Sequence, residues 1–466
     1  MGYLIKDGLI LAVVLSLSGC SLYHHAYPIS ASPQVPYDLK IVQLDDYGSF
    51  WDVGVARAAL ADVETQSLSM TTSTYVVVFI HGWHNNAAPD NENLHQFNTW
   101  LANLSDEFSK PERRAVRAEL TGSPDFKLIG IYIAWRGRSL PSYLDYTTMW
   151  WRKTAAERVG NGDASEFLER LQRIYLRANA YGRYAQAPEH TPFTGLFTIG
   201  HSFGGQVLLN AVARPIEEQM VMRAPCLADD THPPQAPVKR TQEYVPIDSF
   251  GDLNILVNPA LEAYQYARID GLYKQLLYSS QQTPQLIVFS ADNDVPRKSF
   301  FPIARALTSP FRASFRNSYQ GRLWGNALGE LPDQQTHDLH LAQGKADSLT
   351  DDDFKAENRH RVADYDFTST TVFAGAELDR RTGVPAIENS PVSVVVTHDK
   401  IINGHNGVFD PAFMAFLPQY VAFIEGKRIV QRYQRFRQQK RNGKGQPSDV
   451  VPPAVCSQAL TASALE

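Results

Sequence analysis

The chain contains the stretch FTGLFTIGHSFGGQVLLNAVA, which occupies positions 193–213. Its first part, Phe193 to Ile199, is strand-like, and the residues from Gln206 onward are predicted to form a helix. Between them lies Gly200-His201-Ser202-Phe203-Gly204-Gly205, a short segment in which glycine recurs. Glycine allows a strand and the following helix to approach closely. The stretch therefore predicts a strand, a tight turn and a helix, the repeating unit of an α/β protein.

Further apolar runs of strand length recur along the chain, each bounded by polar, glycine or proline residues. They are Leu39 to Leu44, Tyr75 to Ile80, Leu128 to Ala134, Leu253 to Val257, Leu286 to Phe289 and Val392 to Val396. Helix-like stretches lie between them, among them Glu92 to Phe108, Gln206 to Met220 and Ala260 to Leu277. This alternation predicts an α/β fold with a mostly parallel central sheet that helices cover on both faces.

The composition fits one large globular domain. With 44% apolar and 20% charged residues in 466, the chain can bury a large core and is not disordered as a whole. A net charge of −5 gives no reason to expect nucleic acid as a partner. We expect the domain to span residues 38–426, with lid-like insertions at about 142–160, 220–244 and 300–390. For the polar parts of these insertions, the alternative to a lid is a surface loop without a function.

The N-terminus carries an export signal. Leu9 to Leu17 is apolar but too short to span a bilayer, and it ends in Leu17-Ser18-Gly19-Cys20, which resembles a bacterial lipobox. The pattern predicts a signal peptide at residues 1–19, a lipid on Cys20 and a flexible tether at residues 20–37. Ser21 favours the outer membrane, facing the periplasm. Because Lys6 is offset by Asp7, an uncleaved signal anchor and ordinary secretion remain alternatives.

The end of the chain, residues 427–466, is predicted to be a basic helix followed by a loose tail. Lys427 to Lys444 is dense in lysine and arginine and contains no acidic residue. Such a helix can lie on anionic lipid or can simply expose a solvated face, and both interpretations stay open. In an oxidising compartment, Cys226 and Cys456 form either one disulfide or two free thiols.

Ser202 is the candidate nucleophile. A hydroxyl is a poor nucleophile at neutral pH, so acyl transfer needs a base to take its proton and donors to stabilise the oxyanion. A Gly-x-Ser-x-Gly pattern arises by chance roughly 0.1 to 0.2 times in a chain of this length. Here, however, the pattern follows a predicted buried strand and precedes a predicted helix, which is the setting of a nucleophile elbow.

A second motif, Phe79-Ile80-His81-Gly82-Trp83, directly follows the predicted strand Tyr75 to Ile80. A loop at this place completes the oxyanion hole, so we predict that the backbone amides of Trp83 and Phe203 are its donors. His81 is predicted to be structural. His81 and His84 also suggest a zinc pair, but no further ligand in that loop completes a site, so neither a metal nor another cofactor is predicted.

The remaining members of a triad follow in the order acid, then histidine. Asp292 and Asp294 come after the strand Leu286 to Phe289, and the residues alone leave both open. His398 and His405 come after the last predicted strand. His398 lies almost on that strand, whereas His405 lies in a loop long enough to reach back over the sheet, so His405 is the predicted base.

These motifs together resemble a group of bacterial α/β-hydrolases described as esterases or lipoproteins. The resemblance covers about Asp38 to Ile424 and is carried by Phe79 to Ala87, Ala134-Trp135-Arg136-Gly137, the Ser202 segment, Val257-Asn258-Pro259-Ala260 and Asn403-Gly404-His405-Asn406. It implies an α/β-hydrolase fold and hydrolase chemistry. In that group the acid lies in an Asn-Asp pair, which maps onto Asn293-Asp294 and favours Asp294 over Asp292. The sequence departs from the group at Val295-Pro296-Arg297, where substrate contacts become doubtful.

The sequence therefore predicts a serine hydrolase that acts on an ester or a related acyl bond with Ser202, His405 and Asp294. Its expected partners are a small-molecule or lipid ester and the membrane that holds the lipid on Cys20. The alternative is an inactive lipoprotein whose hydrolase-like scaffold binds another envelope component.

Overall fold

The computed structural model describes residues 25–28, 35–138, 148–180, 192–224, 246–279, 281–303, 315, 317–342, 371–382 and 389–442. The predicted signal peptide, Cys20, Cys226, Cys456 and the predicted tail after residue 442 lie outside the described residues.

A ten-stranded sheet forms the centre of the described residues. The strands are β1 (Asp38–Gln43), β2 (Ser73–Ile80), β3 (Phe126–Ala134), β4 (Thr194–His201), β5 (Leu253–Val257), β6 (Leu286–Ala291), β7 (His337–Leu341), β8 (Thr371–Phe373), β9 (Ala376–Arg380) and β10 (Val392–Thr397). Their order is β1-β3-β2-β4-β5-β6-β10-β7-β9-β8. Neighbours are parallel from β1 to β7 in this order, and only the pairs β7–β9 and β9–β8 are antiparallel. The predicted mostly parallel α/β sheet is confirmed.

Helices cover both faces of this sheet. They are α1 (Val53–Ser67), α2 (Glu92–Phe108), α3 (Pro111–Thr121), α4 (Met149–Asn161), α5 (Asp163–Ala178), α6 (Phe203–Arg223), α7 (Ala263–Tyr273), α8 (Ser318–Gly325) and α9 (Pro411–Asn442). Alternate side chains of β2 point to opposite faces, so Val76 and Val78 pack with α1, α4, α5, α6 and α7, whereas Val77 and Phe79 pack with α2 and α9. Burial on both faces explains why the strand is continuously apolar.

The predicted insertions contribute more to the fold than expected. The region 300–390 supplies α8 and the strands β7, β8 and β9, which extend the sheet beside β10. In the region 142–160, the described part is α4, whose Ala155, Ala156 and Val159 are buried in the core. Only the first residues of the region 220–244 are described, and there α6 continues to Arg223. These described parts belong to the packed domain.

The predicted basic helix is the second half of α9, which already begins at Pro411. Lys427 and Arg428 are almost fully buried. Arg428 pairs with Asp248 and Asp252, and Arg432 also pairs with Asp252. Arg428 and Arg432 therefore neither lie on lipid nor form a solvated face, because they dock the helix on acidic groups beside β5. Among the described helices, none is both long and apolar enough to cross a bilayer.

Candidate active site

Ser202 lies at a sharp turn between β4, which ends at His201, and α6, which begins at Phe203. Its backbone has φ 55° and ψ −121°, a region that residues with a side chain rarely adopt. Gly204 allows the start of α6 to approach the end of β2, because a Cβ there would lie 2.1 Å from the carbonyl oxygen of Ile80. The turn is the strained strand-to-helix geometry that presents a nucleophilic serine at the end of a sheet.

Ser202, His405 and Asp294 come together at the carboxyl ends of β4, β10 and β6. The Oγ atom of Ser202 lies 2.7 Å from Nε2 of His405, and Nδ1 of His405 lies 2.8 Å from Oδ2 of Asp294. Because an ionised carboxylate only accepts hydrogen bonds, Nδ1 carries the imidazole proton. Nε2 is then free to accept the proton of Ser202.

Asp294 is fully buried and remains ionised. Burial alone would raise the pKa of its carboxyl group, but the interactions with His405 and Arg297 outweigh it, and the pKa falls below its usual value. The backbone N–H of Arg297 donates to Oδ1 of Asp294 at 3.0 Å, and the guanidinium lies 3.6 Å from Oδ2. Arg297 therefore contacts both oxygens of the acid, one through its backbone N–H and one through its guanidinium.

The alternative acid, Asp292, faces a different histidine. Its Oδ2 atom lies 3.0 Å from Nδ1 of His398, and Nε2 of His398 lies 2.9 Å from Oδ1 of Asp338 on β7. Burial would lower the pKa of His398, but Asp338 and Asp292 outweigh it and raise that pKa. The geometry thus pairs Asp292 with His398 and Asp294 with His405.

The loop after β2 passes directly beside the nucleophile. A Cβ on Gly82 would lie 2.7 Å from the Cβ of Ser202, so Trp83, the next residue, belongs to a backbone segment that borders the serine. On the other side, Phe203 is the first residue of α6, and the N–H of a first helical residue has no acceptor in its own helix. The backbone segments that carry the two predicted oxyanion donors therefore lie beside Ser202, one of them at the positive end of a helix.

His81 supports this loop and is not placed to react. Its Nδ1 donates to the carbonyl oxygen of Gly82 at 2.8 Å, and its Nε2 accepts from the backbone N–H of Trp135 at 3.1 Å. Burial lowers the pKa of His81 to about 4, so the ring is neutral. His84 donates its backbone N–H to Gly137. Both ring nitrogens of His81 are thus engaged, which removes it from the zinc pair considered above.

Three polar side chains fix the loop that carries His405, and the sequence alone assigned no role to any of them. Asn258, at the end of β5, donates to the carbonyl oxygens of Gly404 and His405 at 3.0 and 3.1 Å. His201 lies 2.9 Å from the carbonyl oxygen of His405, and the N–H of Gly404 donates to Asn293 at 2.7 Å. Burial lowers the pKa of His201 to about 3, so its Nε2–H acts as a neutral donor.

Arg297 connects this framework to the triad acid. Its Nη1 donates to Oδ1 of Asn258 at 3.0 Å, while its Nη2 donates to Ser290 at 2.7 Å and to Glu330 at 2.6 Å. Only 1% of the Arg297 side chain is exposed. Asn258, Asn293 and Arg297 each lie in a motif quoted above, but no local pattern indicated that they contact one another.

Within the described part of the chain, one group of side chains has the spacing of metal ligands. It consists of His340 on β7 with Glu377 and Asp379 on β9. It contains no member of the triad. No triad step needs a metal or a cofactor.

Comparisons with protein-family models, with curated proteins and with solved structures found no match to this chain. What the site can do must therefore follow from its own geometry.

Proposed function

We propose that the chain is a serine hydrolase of the α/β-hydrolase fold that cleaves an ester or a related acyl bond. The observation that carries the proposal is the continuous contact from Ser202 to His405 to Asp294, at 2.7 and 2.8 Å, on a strained elbow. The order of these residues along the chain, serine, acid and then histidine, is that of α/β-hydrolases. The strained backbone of Ser202 costs about 1–3 kcal/mol, which a purely structural turn would not need.

Acylation begins when Oγ of Ser202 attacks the carbonyl carbon of the ester while Nε2 of His405 takes the hydroxyl proton. The carbonyl oxygen becomes an oxyanion, and the backbone amides of Trp83 and Phe203 stabilise it. Asp294 stabilises the imidazolium. When the bond to the leaving alcohol breaks, that alcohol takes the proton from His405 and the acyl group stays on Ser202.

Deacylation repeats these steps with water. His405 takes a proton from the water as its oxygen attacks the acyl carbon, and a second oxyanion forms. The bond to Ser202 breaks, Ser202 recovers the proton from His405, and the carboxylic acid leaves. No atom or electron outside the ester, the water and the triad is needed.

The proposal includes attachment to the bacterial envelope through a lipid on Cys20, and a small-molecule or lipid ester as substrate. The rival function is an inactive scaffold that binds an envelope component. The desolvated, hydrogen-bonded acid and the engaged histidine favour the enzyme, because a scaffold gains nothing from orienting a base toward a serine.

Labelling with a fluorophosphonate probe tests the proposal. We expect wild type to label, and Ser202→Ala and His405→Gln to lose labelling. Ser109→Ala, an exposed serine at the end of α2, is the matched control and should label like wild type. A wild-type protein that is folded but does not label, or a Ser202→Ala variant that labels normally, would favour the scaffold.

A further inference from the structure

The candidate site lies at one edge of the sheet, which we call the carboxyl edge because the parallel strands end there. Ser202, Asp294 and His405 follow β4, β6 and β10 at this edge. The helices after these strands begin at the same edge, since each must run back across the sheet to reach the next parallel strand. Side chains in the first turns of those helices therefore surround the site.

Large apolar side chains are exposed at the carboxyl edge. Tyr47 (77% exposed) and Trp51 (40%) lie in the segment that follows β1, and Trp151 (68%) lies in the first turn of α4. Val295 directly follows Asp294 after β6, Ile303 ends the helical segment after it, and both are more than half exposed. We call these five residues the apolar rim. Among the described residues, the exposed large side chains at the opposite edge include Met70, Leu176, Val221 and Met222.

The arrangement of α4 confirms that its exposed tryptophan belongs to this edge. Arg152, the residue after Trp151, donates to the carbonyl oxygen of Arg136 at 2.8 Å and to Asp46 at 2.6 Å. Arg136 follows the end of β3, and Asp46 lies beside Tyr47 after the end of β1. Trp151 is thus fixed next to two strand ends, on the side of the sheet where Ser202 lies.

The first described residues of the chain also dock at the carboxyl edge. The backbone N–H of Tyr27 donates to Oε1 of Gln43 at 2.8 Å, and Nε2 of Gln43 donates back to the carbonyl oxygen of Tyr27 at 2.8 Å. Nδ2 of Asn86 donates to the hydroxyl of Tyr27 at 3.1 Å. Asn86 lies in the loop that contains Trp83, and Trp51 lines the same surface hollow as Tyr27 and Asn86. The chain therefore enters the domain beside the oxyanion loop.

The distance from this entry point to the anchor is short. Cys20 precedes His25 by five residues, and a fully extended chain spans at most about 3.6 Å per residue. Whatever conformation the segment adopts, a lipid on Cys20 holds His25 within roughly 18 Å of the bilayer surface. Tryptophan and tyrosine are the side chains that favour the boundary between lipid and water. The anchor and the apolar rim thus bring the same edge to the membrane.

We propose that the carboxyl edge docks on the phospholipid bilayer that holds the anchor, with the apolar rim in the lipid–water boundary. Ser202 then receives its acyl substrate from the membrane, so the substrate class is an ester of a membrane lipid. This inference rests on the proposed hydrolase function and on the lipid at Cys20. The alternative is that the apolar rim binds a protein partner instead of the bilayer.

Quenching of tryptophan fluorescence by brominated lipid tests the docking directly. The full lipidated protein is placed in vesicles of phosphatidylethanolamine and phosphatidylglycerol at 3:1, with and without brominated acyl chains. We expect wild type to be quenched, and Trp51→Phe/Trp151→Phe to lose most of that quenching while remaining bound through the anchor. Absence of quenching in wild type, or full quenching in the double variant, would overturn the proposal.

Activity measurements test the consequence for the substrate. We expect Trp151→Ser to lower hydrolysis of a phospholipid ester in the vesicles at least about tenfold and to leave hydrolysis of soluble p-nitrophenyl butyrate unchanged. Met70→Ser/Met222→Ser, at the opposite edge, is the matched control and should change neither rate. Equal loss of phospholipid hydrolysis in Trp151→Ser and in the opposite-edge control would refute bilayer docking. Bilayer docking would also be refuted if the apolar rim were protected from chemical modification only when another protein is added.

The two measurements separate the two proposals. If neither ester is hydrolysed but quenching follows the expected pattern, the hydrolase function fails and the docking surface stands. If the soluble ester is hydrolysed but tryptophan fluorescence is not quenched, the hydrolase function is supported and bilayer docking is refuted.

Discussion

Arg297→Met removes the guanidinium beside Asp294, the acid of the proposed triad. In the native protein the guanidinium lies 3.6 Å from Asp294 and 2.6 Å from Glu330, with side chains that are 1%, 0% and 10% exposed respectively. Removing one partner of a buried ion pair costs about 3–5 kcal/mol, because the other charge remains buried and unpaired. We therefore expect the free energy of unfolding of Arg297→Met to fall by about that amount.

A double-mutant cycle separates this pairing from the role of Arg297 beside Asp294. Glu330→Gln keeps an acceptor for Nη2 and removes only the charge, so its own cost should be smaller, about 1–2 kcal/mol. The double variant should then lose less stability than the sum of the single variants, by about 2 kcal/mol. Denaturant unfolding monitored by circular dichroism measures all three. Additive losses would show that the two buried charges are not coupled.

The same variants report on catalysis. Arg297 also donates to Asn258, which holds the carbonyl oxygen of His405, so we expect the rate of fluorophosphonate labelling to fall about 10- to 100-fold in the double variant. Arg297 acts here through other groups, as a positioning residue. An unchanged labelling rate in the folded double variant would show that Arg297 supports only the fold and does not position His405.

Three further predictions concern other residues. Asp294→Asn should lower kcat/KM for a soluble ester by on the order of 10⁴-fold, whereas kcat/KM of Asp292→Asn should remain within about threefold of wild type. Similar losses in both variants would contradict the assignment of Asp294, rather than Asp292, as the partner of His405. Arg428→Met should lower the free energy of unfolding by about 3–5 kcal/mol without slowing labelling of the folded protein, as measured by denaturation and probe kinetics. Because the pKa of His398 is raised in the folded state, its ion pairs stabilise the protein below the unfolded pKa, and this contribution is lost as pH rises through the folded value. His398→Gln should therefore destabilise more at pH 5 than at pH 9, and a larger effect at pH 9 would show that the pairs are not ionic.

The sequence predicted those parts of the sheet that are buried on both faces. The strand Leu253–Val257 and the helix Glu92–Phe108 have the predicted bounds, because continuous apolar runs and a long amphipathic pattern are local signals. The strands β7 (HDLHL) and β9 (AELDR) were missed. Both are short, both carry charged side chains, and both lie in a polar region that resembles a surface insertion. Only pairing with β10 and with each other makes them strands.

The candidate site also has parts that the sequence predicted and parts that it could not predict. Ser202 and the loop at His81 to Trp83 are recognisable because a strained turn and a close backbone approach need glycine at fixed places. The choice between Asp292 and Asp294 is not local, since both follow β6 within three residues. It depends on β10 lying next to β6, which brings His398 to one acid and lets His405 fold back to the other. Arg297 follows a proline in a polar stretch, and only the π-helical turn Pro296–Phe300 turns it into the core.

The two acid–histidine pairs at the carboxyl edge consist of the same residue types but have different roles. His398 lies between two carboxylates, so both of its ring nitrogens act as donors and its pKa is raised. A protonated imidazole has no lone pair with which to take a proton, so this pair is an ion pair that ties β6 and β10 to β7. His405 meets a carboxylate on one side only and the hydroxyl of Ser202 on the other. An imidazole between an acid and an alcohol keeps one nitrogen as an acceptor, and that asymmetry makes it the base.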